Sequence, residues 1–206
     1  IECKKMSFHS MNITSSLGER FFAQHLIERG YLVYGLLNGF ICPRCNEQSF
    51  GVGIQHPFDF LCYKPLKNVP FDFHDCFIAE IKTKVRKWEN ENGFNMSDFN
   101  TYKNVHATSP FDFWIVFVDG GEMYGTTMKE LIDKELHPKE VDGVTYPKKK
   151  TYHHQEGRMT IEKDVIIFPL KWMKKMGKLT ENQQKKLQNA SAKQSVIKMS
   201  RADTRA

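Results

Sequence analysis

Asp59, Glu80 and Lys82 are the residues whose types and spacing suit chemistry. They lie in two short apolar runs, His56-Pro57-Phe58-Asp59-Phe60-Leu61 and Phe77-Ile78-Ala79-Glu80-Ile81-Lys82, joined by a loop carrying Pro65 and Pro70. Aromatic and branched side chains dominate both runs, and Pro and Asn bound them, so both read as strands. Strand side chains alternate, so Glu80 and Lys82 share one face and Ile81 takes the other. A carboxylate two residues from a lysine in a buried strand costs roughly several kcal/mol unless something compensates. A divalent cation shared by Asp59 and Glu80 would do so. Hard oxygen ligands on neighbouring strands suit Mg²⁺, and Lys82 would then face an anionic substrate held at the metal. The plain alternative is an ion pair of Asp59 or Glu80 with Lys82 inside an ordinary mixed sheet.

The elements around these runs must position them. Ser16-Leu17-Gly18-Glu19 before Phe21 to Arg29 reads as a capping-box start to a helix, with Gly30 as its stop. Glu19 is then the residue that reaches back to the cap. It also falls in register with Phe22, Ala23 and Leu26, which places the carboxylate on the core-facing stripe and keeps a functional role open beside capping. Tyr31 to Leu37 reads as a strand. Beyond the central pair, Lys84, Arg86 and Lys87 form a basic rim, Asn90 to Gly93 reads as a loop, and Ser97 caps a short helix to about Ala107 that carries Tyr102 and Lys103. Phe111 to Val118 is an apolar strand for a sheet interior, Asp119-Gly120-Gly121-Glu122 a hairpin turn, and Thr127-x-x-Glu130 a second capped helix.

Cys42-Pro43-Arg44-Cys45 has knuckle spacing, but a lone pair of thiols is half a zinc site. Cys62 falls on the strand face opposite Asp59, and Cys76 on the face of Glu80, so regular strands would not bring both to one tetrahedral centre. Two reduced thiols in a turn are the expectation, with structural Zn²⁺ at Cys42 and Cys45 the lesser alternative. From Pro138 to Gln155 the chain turns polar and lysine-rich. Arg158 to Phe168 reads as a closing hairpin strand, Lys171 to Met176 as a short basic helical turn, and Thr180-x-x-Gln183 as the start of a last helix before a mobile tail.

The chain of 206 residues is 40% hydrophobic and 13% aromatic, a globular composition that suits one domain. No apolar run reaches the ~20 residues of a membrane span, so a soluble protein is expected. The start at Ile1 lacks a long apolar segment, which favours a cytoplasmic address, and its lack of Met suggests an offset or trimmed N-terminus. Five cysteines at uneven spacing argue against a disulfide framework. The net charge of +6 is uneven: residues 171–206 hold ten Lys and Arg against two acids. That tail suits a loosely held anionic partner such as nucleic acid, or is simply solvated.

The order of these elements is helix with Glu19, strand, strand with Asp59, strand with Glu80-x-Lys82, helix, apolar strand. It resembles the core of the PD-(D/E)XK nuclease superfamily, including small phage nucleases and archaeal Holliday junction resolvases. Gly18-Glu19-Arg20, Gly30-Tyr31-Leu32-Val33, Pro57-Phe58-Asp59 and Glu80-Ile81-Lys82 carry the resemblance, which runs from residue 16 to about 135. Phe58 interrupts the Pro-Asp pair of the family name, and the segment Cys42 to Cys45 and the basic C-terminus lie outside the common core.

The resemblance implies an α/β fold, a restriction-endonuclease-like core with a central mixed sheet flanked by helices, over residues 12–170, followed by a basic extension over 171–206. It implies a Mg²⁺-dependent DNA endonuclease, with Mn²⁺ able to substitute, in a bacterial, archaeal or phage-infected cell. Asp59, Glu80 and the backbone carbonyl of Ile81 would hold the metal, with Glu19 in support, and Lys82 would orient or help deprotonate the attacking water. Lys84, Arg86, Lys87 and Lys103 are the candidate nucleic-acid contacts. A homodimer suits relatives that cut two strands. The competing expectations are a non-catalytic nucleic-acid-binding protein on the same fold, and a ribonuclease.

Overall fold

The computed structural model describes residues 13–35, 40–41, 48–49, 58–64, 76–84, 90–156 and 159–203. In chain order these form α1 (Ile13–Ile27), β1 (Leu32–Gly35), β2 (Phe40–Ile41), β3 (Gln48–Ser49), β4 (Phe60–Tyr63), β5 (Cys76–Lys84), β6 (Glu91–Asn95), α2 (Met96–Thr108), β7 (Asp112–Asp119), β8 (Glu122–Thr127) and α3 (Met128–Leu136). There follow β9 (Lys139–Val141), β10 (Val144–Tyr146), β11 (Lys148–Glu156), β12 (Met159–Pro169), β13 (Lys174–Lys178) and α4 (Glu181–Asp203).

A six-stranded sheet in the order β1-β4-β5-β7-β8-β13 forms the centre. It is mixed: β5 and β7 run parallel, and the other neighbours are antiparallel. The parallel pair follows from the crossover through α2, since parallel neighbours need a long connection. The turn from β7 to β8 has only Gly120 and Gly121 between Asp119 and Glu122, at φ of 57° and 88°. Two residues with positive φ match the right-handed twist of the flanking strands, and glycine reaches that region without a Cβ penalty.

Strand alternation splits the core into two layers. Ile78, Phe113, Ile115 and Phe117 turn toward α2 and α3, where Phe94, Phe99, Met128 and Leu131 close over them. Ala79, Ile81, Val116 and Val118 turn toward α1 and α4, where Phe22, Leu26 and Leu187 cover them. Thr127 and Glu130 make the expected reciprocal capping box at α3, and Thr180 and Gln183 do the same at α4.

Several expectations change. Helix α1 starts at Ile13, so Ser16 lies inside it and Glu19 is a mid-helix residue. Capping therefore does not account for Glu19. The stretch expected as a loop at Asn90 to Gly93 enters β6, which pairs with β12 and buries Phe94. The expected basic turn at Lys171 to Met176 is a 3-10 turn over Leu170–Trp172 followed by β13, which adds an edge to the central sheet. Leu179, Leu187 and Ala190 are buried, so residues to at least Ala190 belong to the folded unit. Among the described residues no helix is long and apolar enough to cross a membrane. Cys42, Cys45, Arg86 and Lys87 lie outside the described residues.

Candidate active site

Glu80 and Lys82 occupy the α2 side of β5, as the alternation requires. The Tyr102 hydroxyl of α2 donates to Glu80 Oε1 at 2.9 Å, and Lys82 Nζ reaches the same oxygen at 2.9 Å. Lys82 also stands 3.5 Å from Asp98 in the first turn of α2 and 5.2 Å from the Tyr102 ring centroid. Burial works against the Lys82 charge, but Glu80, then Asp98 and Asp59, outweigh it and hold the ammonium above the ordinary lysine range. Lys82 is thus a fixed cation.

Asp59 sits one residue before β4. Its N–H donates to Ala79 O at 2.9 Å, extending the β4–β5 ladder by one bond. Past that point the ladder stops, and Asp59 Oδ2 accepts the Ile81 N–H at 2.7 Å in place of a strand partner. Both backbone polar groups of a strand residue turn toward the same neighbouring strand, so the Ile81 carbonyl is directed to the side on which Asp59 lies. Burial, then the carboxylates of Glu80 and Glu19, push Asp59 up to about 8, against the pull of the Ile81 N–H and Lys82.

Glu19 reaches this group from the opposite face of the sheet. Its neighbour explains how: a Cβ at Gly18 would lie 1.9 Å from Thr83 Oγ1. The missing side chain lets α1 press onto β5, and Glu19, itself buried, is carried to within electrostatic reach of Asp59. Asp59, Glu80 and Lys82 therefore gather at the end of the β4–β5 ladder, with Asp98 beside the ammonium and Glu19 within electrostatic reach of Asp59. That donor set fits a hard divalent cation, because the charge of Lys82 does not balance it and oxygen is its whole ligand chemistry. Among the described residues no three His, Cys, Asp or Glu side chains are grouped as ligands of one ion, so a cation here would rest on Asp59, Glu80, backbone and water.

The other expected residues fare differently. Lys84 is half-buried; burial lowers its proton affinity, Asp119, its register partner on β7, opposes this, and Lys82 adds to it. Lys103 is engaged with Glu135 at 3.0 Å and lies over the Phe99 ring, which makes it a link between α2 and α3. Cys62 points into the α1 layer, and burial, then Cys76, pushes its thiol up to about 12.

The sequence names Tyr102 on the helix after the central pair, but two pairings escape it. Tyr102 fixes Glu80 across 22 residues, and only the helical phase of α2 against β5 hints at it. Asn92, buried on β6, donates to buried Asp119 at 3.1 Å; a polar residue ending an apolar strand is the one signal for the latter. No family model, curated protein or solved structure matches this chain.

Proposed function

We propose that this chain is a metal-dependent DNA endonuclease with a PD-(D/E)XK, restriction-endonuclease-like core. The observation that carries the reading is the convergence of Asp59, Glu80 and Lys82 at the point where the β4–β5 ladder ends, with Glu19 brought in from α1. The spatial order of α1, β1, β4, β5, α2 and β7 supports it, since β1, β4 and β5 lie side by side and β7 returns parallel to β5.

Asp59, Glu80 and the Ile81 carbonyl would hold Mg²⁺, with Glu19 adding charge beside them. When bound, the ion supplies a water of lowered pKa and neutralises charge developing on the scissile phosphate. Lys82, held as an ammonium by Glu80 and Asp98, keeps its proton; its work is to orient the attacking water and stabilise the anionic transition state as a point charge. Tyr102 locks the Glu80 carboxylate, so that the ligand does not swing with the loss or gain of an ion.

The test is cleavage of supercoiled plasmid, linear duplex, single strand, a four-way junction and RNA in Mg²⁺, Mn²⁺ or EDTA. Metal-dependent cutting of DNA is expected. Asp59→Ala and Lys82→Ala should each lower it by at least about 10²–10³-fold while melting as cooperatively as the parent. Full activity in either purified variant overturns the assignment. Cutting confined to RNA would move it to the ribonuclease reading, and binding without cutting to the non-catalytic one.

A further inference from the structure

The hairpin of β11 and β12 outruns the body of the protein. Its inner half is a three-stranded sheet, because β6 pairs with β12 from Pro169 to Val165. Past Val165 the third strand ends, and residues 151–156 continue against 159–164 as a two-stranded ribbon. At about 3.3 Å per residue this is an arm roughly 20 Å long. Among its described side chains none is packed in the core: Thr151, Tyr152, His153, Glu162, Lys163 and Asp164 are all exposed.

The two faces of the arm differ. On one, Thr151 donates to Asp164 at 2.7 Å and His153 stands 3.4 Å from Glu162, so two of the arm's three acids gather there, while register places the third, Glu156, at the tip of the other face. Register places Lys150, Tyr152 and Lys163 together on the other face, with Tyr152 directly opposite Lys163. The root lysines are engaged, Lys148 by Glu91 and Lys149 by Glu135. Among the described residues no carboxylate contacts Lys150 or Lys163.

The arm also starts beside the candidate site. Val165, where the third strand stops, pairs with Asn95, the residue that precedes α2. One helical turn later Asp98 stands 3.5 Å from Lys82.

We propose that the β11–β12 ribbon is a DNA-binding arm that lies along double-stranded DNA with its Lys150, Tyr152 and Lys163 face on the phosphates. This rests on the nuclease reading for its substrate class and deepens it by naming the form. A two-stranded ribbon fits the major groove of B-form DNA, whereas the deep, narrow major groove of A-form RNA does not admit it. Single strands are gripped by several stacking rings, and among the described side chains this face offers one, Tyr152. At 3.4 Å per base pair the arm spans about six base pairs. The face bearing two acids is repelled by phosphate, which fixes the face that docks.

The experiment compares the parent with Lys150→Ala/Lys163→Ala in chelator, where nothing is cut. Binding to a labelled DNA duplex, its single strand and an RNA duplex of the same sequence is followed over a series of salt concentrations. Both lysines are exposed, so the melting temperature should not move. The expected result is a duplex preference in the parent, at least about tenfold weaker duplex binding in the variant, and a salt slope smaller by about 1.8, near 0.9 per phosphate contact. An unchanged slope, or a parent that prefers single strands or RNA duplex, overturns the arm. The two readings fail separately. Arm-dependent duplex binding with no cutting in Mg²⁺ or Mn²⁺ keeps the arm and sinks the nuclease. Metal-dependent cutting with arm-independent binding does the reverse.

Discussion

The two layers of the central sheet are built from different kinds of apolar side chain. Under α2 the layer is aromatic: Phe94 stacks on Phe117 with ring planes 1° apart and packs on Phe99 at 5.6 Å. Under α1 it is mostly aliphatic, with Phe22 against Phe60 at 6.2 Å as its deepest ring pair. The aromatic layer holds a polar cluster at its rim, because the Tyr102 ring belongs to the layer while its hydroxyl reaches Glu80. The aliphatic layer sends Glu19, by way of the close approach at Gly18. A rigid layer thus positions a charge pair, and a close-packed helix delivers a supporting charge. The site exists where the two layers run out together.

The largest expected effect separates the layers by function at equal stability. Phe99→Ala and Phe22→Ala each remove a fully buried ring and should each cost about 3–5 kcal/mol of stability. Below the melting range, cleavage per folded molecule should fall in Phe99→Ala, whose ring supports α2 and hence Tyr102 and Asp98. It should change far less in Phe22→Ala. Urea melts give the first quantity and initial rates the second; equal rate losses would erase the division of labour.

A pH series reads how the two layers meet. Asp59 carries about 8 in the folded protein, above the ordinary aspartate value near 4 of an unfolded chain. The neutral carboxyl is therefore the form the fold favours. Its contribution to stability is whole below about pH 4 and is lost as the pH rises through about 8. In EDTA the melting temperature should fall across that window, and Asp59→Asn should flatten the fall. Glu19→Gln, which removes the charge arriving from the α1 layer, should flatten it in part. A slope indifferent to Glu19 would mean that the α1 layer contributes no charge to the site.

Much of this was legible in the chain. Glu80-x-Lys82 on one strand face, the Gly120-Gly121 turn and the Thr127 to Glu130 box depend on neighbours in sequence, and local chemistry decides them. The rest depends on partners far away. Ser16 has the form of a cap, but a cap is worth only about 1 kcal/mol, and the helix runs back past it to Ile13. Strand β6 contains Asn92 and Gly93, residues that strands disfavour, and exists because β12 offers it a ladder and Phe94 a buried position. The basic run at Lys174 to Lys178 hides an edge strand, where lysines are tolerated because they discourage further pairing. Asp59 was visible as a strand acid, but not as the residue that finishes a broken ladder.

The smallest expected effect is the most specific to the aromatic layer. Tyr102→Phe keeps the ring among Phe94 and Phe113 and removes one oxygen. The lost bond has a carboxylate as acceptor, so the stability cost should be about 1.5–3 kcal/mol, less than either ring deletion. Lys82 remains on Glu80 Oε1, so the carboxylate keeps a partner and the fold should survive. If the hydroxyl serves only the core, that cost is the whole effect and the Mg²⁺ dependence of cleavage stays where it was. If it holds Glu80 in its ligating position, half-maximal activity should require severalfold more Mg²⁺, while the rate at saturating metal recovers most of the parent value. The metal titration, read beside the melt, distinguishes a ring that fills space from one that aims a ligand.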